Sequence, residues 1–397
     1  MLVQFMLKNV LSFKEETILD MTAINAYKEH ECNLINNGTK EKFLRVAAIY
    51  GANASGKSNL NIAMRLFQLI ITESFNNADK DGRVAIEKYY HPFRFDNNEE
   101  NSEFQIIEIL GEYEYKYGFE YNSESIVSEW MYRKNINTKR NTVILERMGN
   151  TIQLGATVRK ECEVYQEQIP TETLALSFFN RLNLKTDIFN VMYSGIMDTL
   201  VADADFYEES KIIETFLPEV IDEEKEKLIN FLEAIDTGIK DIQYLKDGDD
   251  FKFLTTHLGK DEKRYNISLY DESAGTVKSI IIYMYARVAI VMNASMFIDE
   301  LNVKLHPLLL KFIVDLFYEQ NTTAQLIYTT HDTTLMDKKF FRRDQIWFVQ
   351  KDEYGYSELS ALSDFKVRSD ASFEKDYLAG VYGGIPFLKE FDMKEGE

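Results

Sequence analysis

Residues Gly51-Ala52-Asn53-Ala54-Ser55-Gly56-Lys57-Ser58 spell G-x-x-x-x-G-K-S. This pattern works only as a tight turn between a strand and a helix, because the turn must aim backbone N–H groups and one lysine at phosphate. The flanks supply that context. Residues 43–50 are dense in apolar side chains and read as a buried strand, and residues 59–78 begin an amphipathic helix that fades into polar residues. Gly51 and Gly56 permit the turn and the close approach of a phosphate. Asn53, Ser55, Gly56, Lys57, Ser58 and Asn59 form the loop and first turn that would bind it, with Lys57 reaching the outer phosphates and Ser58 supplying a hydroxyl to Mg²⁺.

Three further groups lie far along the chain. Asp299-Glu300 ends the short apolar run 295–298. Alone, two adjacent acids are an ordinary solvated strand end. Downstream of a phosphate loop they read as Asp299 for Mg²⁺ and Glu300 for the attacking water. His331 follows the apolar run 325–329, where it can meet a γ-phosphate, although a lone histidine is as readily structural. Asp332 beside it suits a loop-holding role. Glu272-Ser273-Ala274-Gly275-Thr276 precedes an apolar helix over 276–292. Ser273 serves there as an N-cap, and Ser273 with Gly275 also offers a phosphate-binding helix start.

Composition bounds the partners. The 397 residues are 45% hydrophobic, enough for a large core or two domains, and the net charge is −20. Such a chain repels polyanions on average. The most basic stretch, Arg133, Lys134, Lys139, Arg140 and Arg147, reads as a solvated loop or hairpin. Cys32 and Cys162 form no C-x-x-C pair, which argues against a thiolate metal site or a disulfide framework and suits the cytoplasm. No uninterrupted run of eighteen apolar residues and no signal-peptide pattern occurs, so no membrane partner is expected.

Along the chain, residues 1–20 read as two edge-like strands, and 22–42 as polar loop. Residues 87–165 are β-rich, with a hairpin of 104–110 and 113–121 around Gly111. Residues 207–235 are helical with a break at Pro218. Residues 241–253 and 265–270 read as strands, 307–319 as a helix opening on Pro307, 345–350 as a strand, and 351–397 as a polar tail with scattered aromatics. Helices alternating with short apolar strands over 276–350 argue an α/β fold. Asp203-Ala204-Asp205 is a D-x-D pair without a partnering carboxylate and reads as solvent-facing loop.

With these groups in this order, the chain resembles the ABC-type ATPases related to the SMC, RecF and double-strand-break-repair families. It is more closely similar to bacterial AAA-family ATPases of the RloA/AbiLi type, neighbours of the OLD-family nucleases. Phe5-Met6-Leu7-Lys8-Asn9-Val10-Leu11-Ser12-Phe13 resembles the opening strand–turn of that superfamily. Gly51–Ser58 matches Walker A, residues 272–276 a shortened signature, and Phe297-Ile298-Asp299-Glu300 Walker B. Leu305-His306-Pro307 falls at the D-loop, and Thr330-His331-Asp332 at the switch histidine. The signature carries Ala274 where many relatives have glycine or a polar residue. The Q-loop glutamine is left unassigned, with His91-Pro92-Phe93 as the region where that lobe continues. The segments 343–348, 362–365 and 377–386 resemble segments typical of the RloA type and suit core packing equally well.

The resemblance implies an ABC-type P-loop ATPase head with an antiparallel β lobe and a mixed β/helical insertion. Its parts would be an N-terminal lobe over 1–90, a β-rich continuation and helical lid over 91–255, and a C-terminal lobe over 256–397. It also implies ATP and Mg²⁺ as cofactors, and catalytic roles for Lys57, Glu300 and His331. Composite sites are completed by Ser273 and Gly275 of a second subunit in a homodimer or higher homo-oligomer. The activity implied is a nucleotide-gated switch in anti-phage defence that controls a separate nuclease or toxin. No Toprim nuclease is visible after His331. The RecF-like branch keeps nucleic acid open as a partner.

Overall fold

The computed structural model describes residues 1–76, 81–96, 100–202, 209–248, 250–318, 322–368 and 371–386. Asp203-Ala204-Asp205, the end of the first helix expected at 77–78, and Glu319 lie outside them.

Strand alternation explains the layers. A six-stranded sheet runs in the order Leu200–Ala202, Ser295–Ile298, Gln325–Thr330, Val46–Gly51, Ile346–Lys351, Ser357–Ala361, and only the last pairing is antiparallel. Ser295–Ile298, Gln325–Thr330 and Val46–Gly51 are buried on both faces and rich in apolar residues, as central parallel strands are, whereas the antiparallel edge strand Ser357–Ala361 is partly exposed. Ala47, Ile49, Phe297, Ile327, Trp347 and Val349 face one core. Their neighbours Val46, Ala48, Tyr50, Met296, Ile298, Leu326, Tyr328, Ile346 and Phe348 face the other. The period of two in each strand divides one sheet between two cores.

The first core is closed by a seven-stranded antiparallel sheet in the order Thr151–Leu154, Asn141–Met148, Ile126–Asn135, Tyr113–Tyr121, Ser102–Leu110, Leu2–Lys8, Thr17–Asp20. Between the two sheets lies the helix Lys57–Glu73. Its Leu60, Ala63, Met64, Phe67, Ile70 and Ile71 recur at helical spacing and are buried. Phe67 stacks on Phe119 with ring centroids 5.7 Å apart and meets Phe104 at 5.5 Å. The second core holds the helices Glu209–Ala234, Ala274–Met292 and Pro307–Leu316. The architecture is therefore α/β, with an antiparallel lobe and helical additions.

Several expectations change. Leu2–Lys8 is an interior strand, paired on both sides; only Thr17–Asp20 is at the edge. Residues 22–42 contribute to a two-stranded ribbon, Leu34–Asn36 with Lys42–Leu44. The strand expected over 241–253 is a hairpin of Asp241–Asp247 and Asp250–Leu258, turning at Gly248 with φ +67°, and Arg264–Ser268 completes a three-stranded sheet. Helix Glu209–Ala234 runs through Pro218 and breaks instead at Glu224, which is non-helical. There Glu224 accepts from Arg287 Nε at 2.8 Å and from Lys227 at 2.9 Å. The tail contains the strand Ser357–Ala361 and the helix Phe373–Leu378.

The basic stretch is a hairpin; Lys139 and Arg140 are exposed at its turn, and the other three basic residues are engaged within the protein. Lys134 contacts Glu114 at 3.0 Å, and Arg133 lies over the Tyr113 ring at 4.1 Å. Arg147 is buried among the carbonyls of Gly149, Pro170, Thr171 and Thr173. Helix Ala274–Met292 is long and apolar enough, by length and composition, to cross a membrane, but half of it is buried in the second core.

Candidate functional site

The phosphate loop grows from the central strand. Val46–Gly51 lies between Gln325–Thr330 and Ile346–Lys351, so the residues that follow each of these strands emerge at one sheet edge. Gly56 has φ +111° and opens the helix Lys57–Glu73 without any side-chain cap. A Cβ at Gly56 would collide with the hydroxyls of Ser357 and Ser12, and one at Gly51 with Val349 O and Ser55 Oγ. Both positions therefore require glycine for space, and Gly56 requires it for conformation as well. Ser12 and Ser357 brace the loop from outside. Ser357 Oγ donates to Ser55 O at 2.6 Å, the two serine hydroxyls lie 2.8 Å apart, and Asn59 Nδ2 donates to Ser12 Oγ at 2.8 Å.

Lys57 folds back over the loop. Its Nζ donates to Gly51 O at 2.9 Å and Ala52 O at 3.0 Å, and lies 3.2 Å from His331 Nε2. With Lys57 as donor, His331 carries its own proton on Nδ1. Burial pushes the Lys57 ammonium down to about 8, while Asp299 and Glu300 pull it up. Burial, and then the charge of Lys57, hold the His331 imidazole below its ordinary value, with Glu300 and Asp299 opposing.

The acidic pair is clamped by the neighbouring strand. The Thr329 hydroxyl donates to Asp299 Oδ1 and accepts from Glu300 N at 2.7 Å, and Leu301 N donates to Thr329 O at 3.0 Å. Glu300 takes a left-handed backbone, φ +44°, which costs a non-glycine residue about 1–2 kcal/mol. Lys278 Nζ, from the helix Ala274–Met292, donates to Glu300 O at 3.2 Å. Glu300 Oε1 lies 3.7 Å from His331 Nε2. Asn302 Oδ1 accepts from Thr330 Oγ1 at 2.8 Å, which steadies the loop carrying His331.

Asn53, Ser55, Gly56, Lys57, Ser58, Asn59, Glu300 and His331 thus line one polar cleft of about 400 Å³, together with Ala54 and Lys351. Ser273 and Gly275 are outside this lining. Ser273 is an exposed N-cap that accepts from Thr276 N at 3.1 Å, and a Cβ on Gly275 would lie 2.8 Å from Lys304 O. Glu272 ties that helix start to the three-stranded sheet: Thr255 Oγ1 donates to it, and His257 Nε2 lies 2.7 Å from it. Ser12, Ser357, Thr329, Lys278 and Lys351 escaped the sequence reading of the cleft. Only Ser12, inside the opening strand–turn, belonged to a recognisable segment.

The residues fit a phosphate and Mg²⁺. Ser55 Oγ is buried with no partner among the described residues, the first turn of the helix has no side-chain cap, and the loop leaves no room for side chains at its glycines. Among the described residues no group of three or more His, Cys, Asp or Glu side chains could hold a metal alone. Ser58 lines the cleft and Asp299 precedes its Glu300; a hydroxyl and a carboxylate are the oxygen donors that a hard cation takes.

The family model described as "AAA domain, putative AbiEii toxin, Type IV TA system" matches residues 46–337. No curated protein matches the chain. Among solved structures, the chain is similar to an Smc head bound to the C-winged helix domain of ScpA, at 14% identity over 95% of this chain and 99% of that one, with a TM-score of 0.44. It is also similar to the SMC head domain from Thermotoga maritima, at 14% identity over 91% and 98%, TM-score 0.39. A third is the Pyrococcus furiosus Smc head with an extended coiled coil, bound to the C-terminal domain of ScpA, at 14% identity over 95% and 98%, TM-score 0.39. The family match spans well over half of the sequence and includes the phosphate loop, the acidic pair and His331, so the chain belongs to the family of AAA domains described as putative AbiEii toxin, Type IV TA system.

Proposed function

We propose that the chain is a Mg²⁺-dependent ATPase of the RloA/AbiLi type whose turnover opens and closes a homodimer. It would be the regulatory half of a cytoplasmic anti-phage system with a separately encoded effector, a nuclease or toxin. The observation that carries the reading is the convergence of Lys57, Glu300 and His331 on one cleft beside a helix start without a side-chain cap.

In this reading Ser58 and Asp299 would hold Mg²⁺, and the ion would supply positive charge to the phosphate oxygens. Lys57 leaves the carbonyls of Gly51 and Ala52 and donates to the outer phosphates. Glu300 orients a water and takes its proton as the water oxygen bonds to the γ-phosphorus. The bridging β–γ bond breaks, leaving ADP and inorganic phosphate. Once Lys57 has turned to the phosphates, His331 takes the tautomer with its proton on Nε2, donates from Nε2–H to a γ-phosphate oxygen and feels its departure. Ser273 and Gly275 close the partner's site from the exposed helix start. The family description, which carries the words toxin and type IV, supports a two-component system.

The test is phosphate release together with molar mass by light scattering, with and without ATP, for the wild type and Glu300→Gln. A dimer that needs ATP and persists in the variant is the expected result. A monomer that binds ATP under every condition overturns the dimeric switch. The alternative, a RecF-like ATPase acting on DNA, would draw on the stretch Arg133–Arg147, where Lys134 and Arg147 are held internally. ATP-dependent, salt-sensitive DNA binding would favour that alternative.

A further inference from the structure

The segment 377–386, which carries no catalytic residue, returns to the phosphate loop. Gly383 and Gly384 both have left-handed backbones, φ +69° and +68°. Gly384 is buried, and a Cβ built on it would lie 3.6 Å from Gly51 Cα and 3.6 Å from Val349 O. The backbone of this turn therefore lies beside the first glycine of the loop and the neighbouring strand, with room for no more than a methyl group between them. A Cβ on Gly383 would overlap the exposed Gln350 amide, which would have to move aside. Tyr377 Oη donates to Gly384 O at 3.0 Å and closes the turn onto the helix Phe373–Leu378. The Tyr377 ring stacks on Phe348 at 5.3 Å and meets Tyr50, the residue before Gly51, at 6.2 Å. Tyr382 stacks on Phe348 at 5.4 Å, and its hydroxyl donates to Asp376 Oδ2 at 3.1 Å.

The same short helix reaches the opposite wall of the cleft. Thr333 Oγ1, two residues beyond His331, donates to Glu374 Oε1 at 2.8 Å. Asp332 Oδ1 accepts from Thr334 N at 2.8 Å, so the loop carrying His331 is a hydrogen-bonded turn. One element thus lies beside the base of the phosphate loop at Gly384 and touches the His331 loop through Glu374. Its rigid middle is the aromatic stack of Tyr50, Phe348, Tyr377 and Tyr382.

We infer that residues 373–386 are a strut that sets the His331 loop against the phosphate loop, which makes Glu374 and Gly384 positioning residues for nucleotide turnover. The inference rests on the proposed ATPase reading. Glu374 acts on the turnover step by fixing His331 relative to Lys57, and Gly384 acts on nucleotide binding by fixing Gly51. The two ends of one element should therefore separate into a kcat effect and an affinity effect.

The experiment uses the full chain. Steady-state phosphate release gives kcat and KM, titration of a fluorescent ATP analogue gives Kd, and thermal unfolding checks integrity. Glu374 is partly exposed, so Glu374→Ala should leave the melting temperature in place. It should lower kcat about tenfold while Kd changes less than about twofold, the loss of one positioning hydrogen bond. Glu374→Gln keeps the acceptor oxygen and should recover kcat to within about twofold of the wild type. Gly384→Ala strains the turn and should weaken analogue binding about tenfold. Wild-type turnover with kcat unchanged in Glu374→Ala overturns the strut alone, as does a kcat loss that Glu374→Gln does not recover. Absence of nucleotide binding by the wild type overturns the ATPase reading and the strut together.

Discussion

Two of the buried basic side chains, Arg147 and Lys57, lie near carboxylates, and their sites are built to opposite ends. In the antiparallel lobe Arg147 gives hydrogen bonds to four backbone carbonyls and lies 3.8 Å from Glu129. Glu129 in turn accepts from Ala175 N, Leu176 N and Tyr117 Oη. These polar atoms are answered inside the protein, and the pair anchors the helix Ala175–Asn180 to the sheet. In the cleft Lys57 has only two carbonyls and a neutral imidazole, Ser55 Oγ has no partner among the described residues, and Glu300 sits in a strained backbone. A closed polar network specifies a fold, whereas convergent and incompletely satisfied donors specify a ligand. The difference gives the two arginine and lysine sites opposite mutational signatures.

The largest separation comes from Glu129→Ala and Lys57→Ala. Removing Glu129 strands a buried guanidinium and two helix N–H groups and should cost about 3–5 kcal/mol of stability, read as the denaturation midpoint. Whatever protein remains folded should bind ATP normally. Removing Lys57 should leave that midpoint unchanged or raise it, and should weaken ATP binding by about 100-fold, read by calorimetry. A Lys57→Ala protein that unfolds like Glu129→Ala would erase the distinction.

Glu300→Gln comes next. It should reduce kcat by about 10²–10³-fold with little change in the nucleotide Kd, checked by single-turnover kinetics. Equal losses in kcat and binding would move Glu300 from water activation to substrate holding.

Titration of the cleft sharpens the comparison further. Lys57 has a folded value near 8, below the ordinary lysine value. The unfolded chain therefore holds more protons between about pH 8 and 10.5. The contribution of Lys57 to stability thus rises with pH across that window in the nucleotide-free protein. Binding runs the other way. Phosphate requires the charged amine, so ATP affinity should be flat below pH 8 and fall above it, by up to about tenfold per pH unit. Calorimetry in buffers of differing ionisation enthalpy should register proton uptake on binding above pH 8. Lys57→Ala should abolish that uptake, and persistence of the uptake would assign it to another group.

The smallest effect is expected at Lys351, an exposed cation on the cleft rim. Lys351→Ala should weaken ATP binding about threefold at moderate salt and less as salt rises. A loss independent of salt would mean that Lys351 acts through shape instead of charge.

Much of the site was legible because its parts are local. A strand–loop–helix phosphate cradle is encoded in eight consecutive residues, and carboxylates at the end of an apolar run announce themselves by position. Four of the five parallel strands among the described residues were legible for the same reason, since burial leaves apolar runs; Leu200–Ala202, only three residues long, was not read. The three-stranded sheet and the late strand Ser357–Ala361 were less so, because their residues are partly exposed and mix polar with apolar types. The segment 343–348 carried a family likeness whose physical content appears only in the fold. Asp344 there binds Arg342 and Ile24 N, and Gln345 reaches Val46 O at 3.0 Å.

The sequence by itself determined the chemistry on offer: the glycines that admit phosphate, the lysine, the acid pair and the histidine, each set by a backbone conformation or strand end that a few adjacent residues dictate. Only the tertiary structure decided which of these meet. His331 approaches Lys57 across 274 residues, and Ser357 braces Ser12 across 345. Such pairings depend on strand order in the central sheet, which follows from how apolar faces are shared between two cores and is not written in any local pattern.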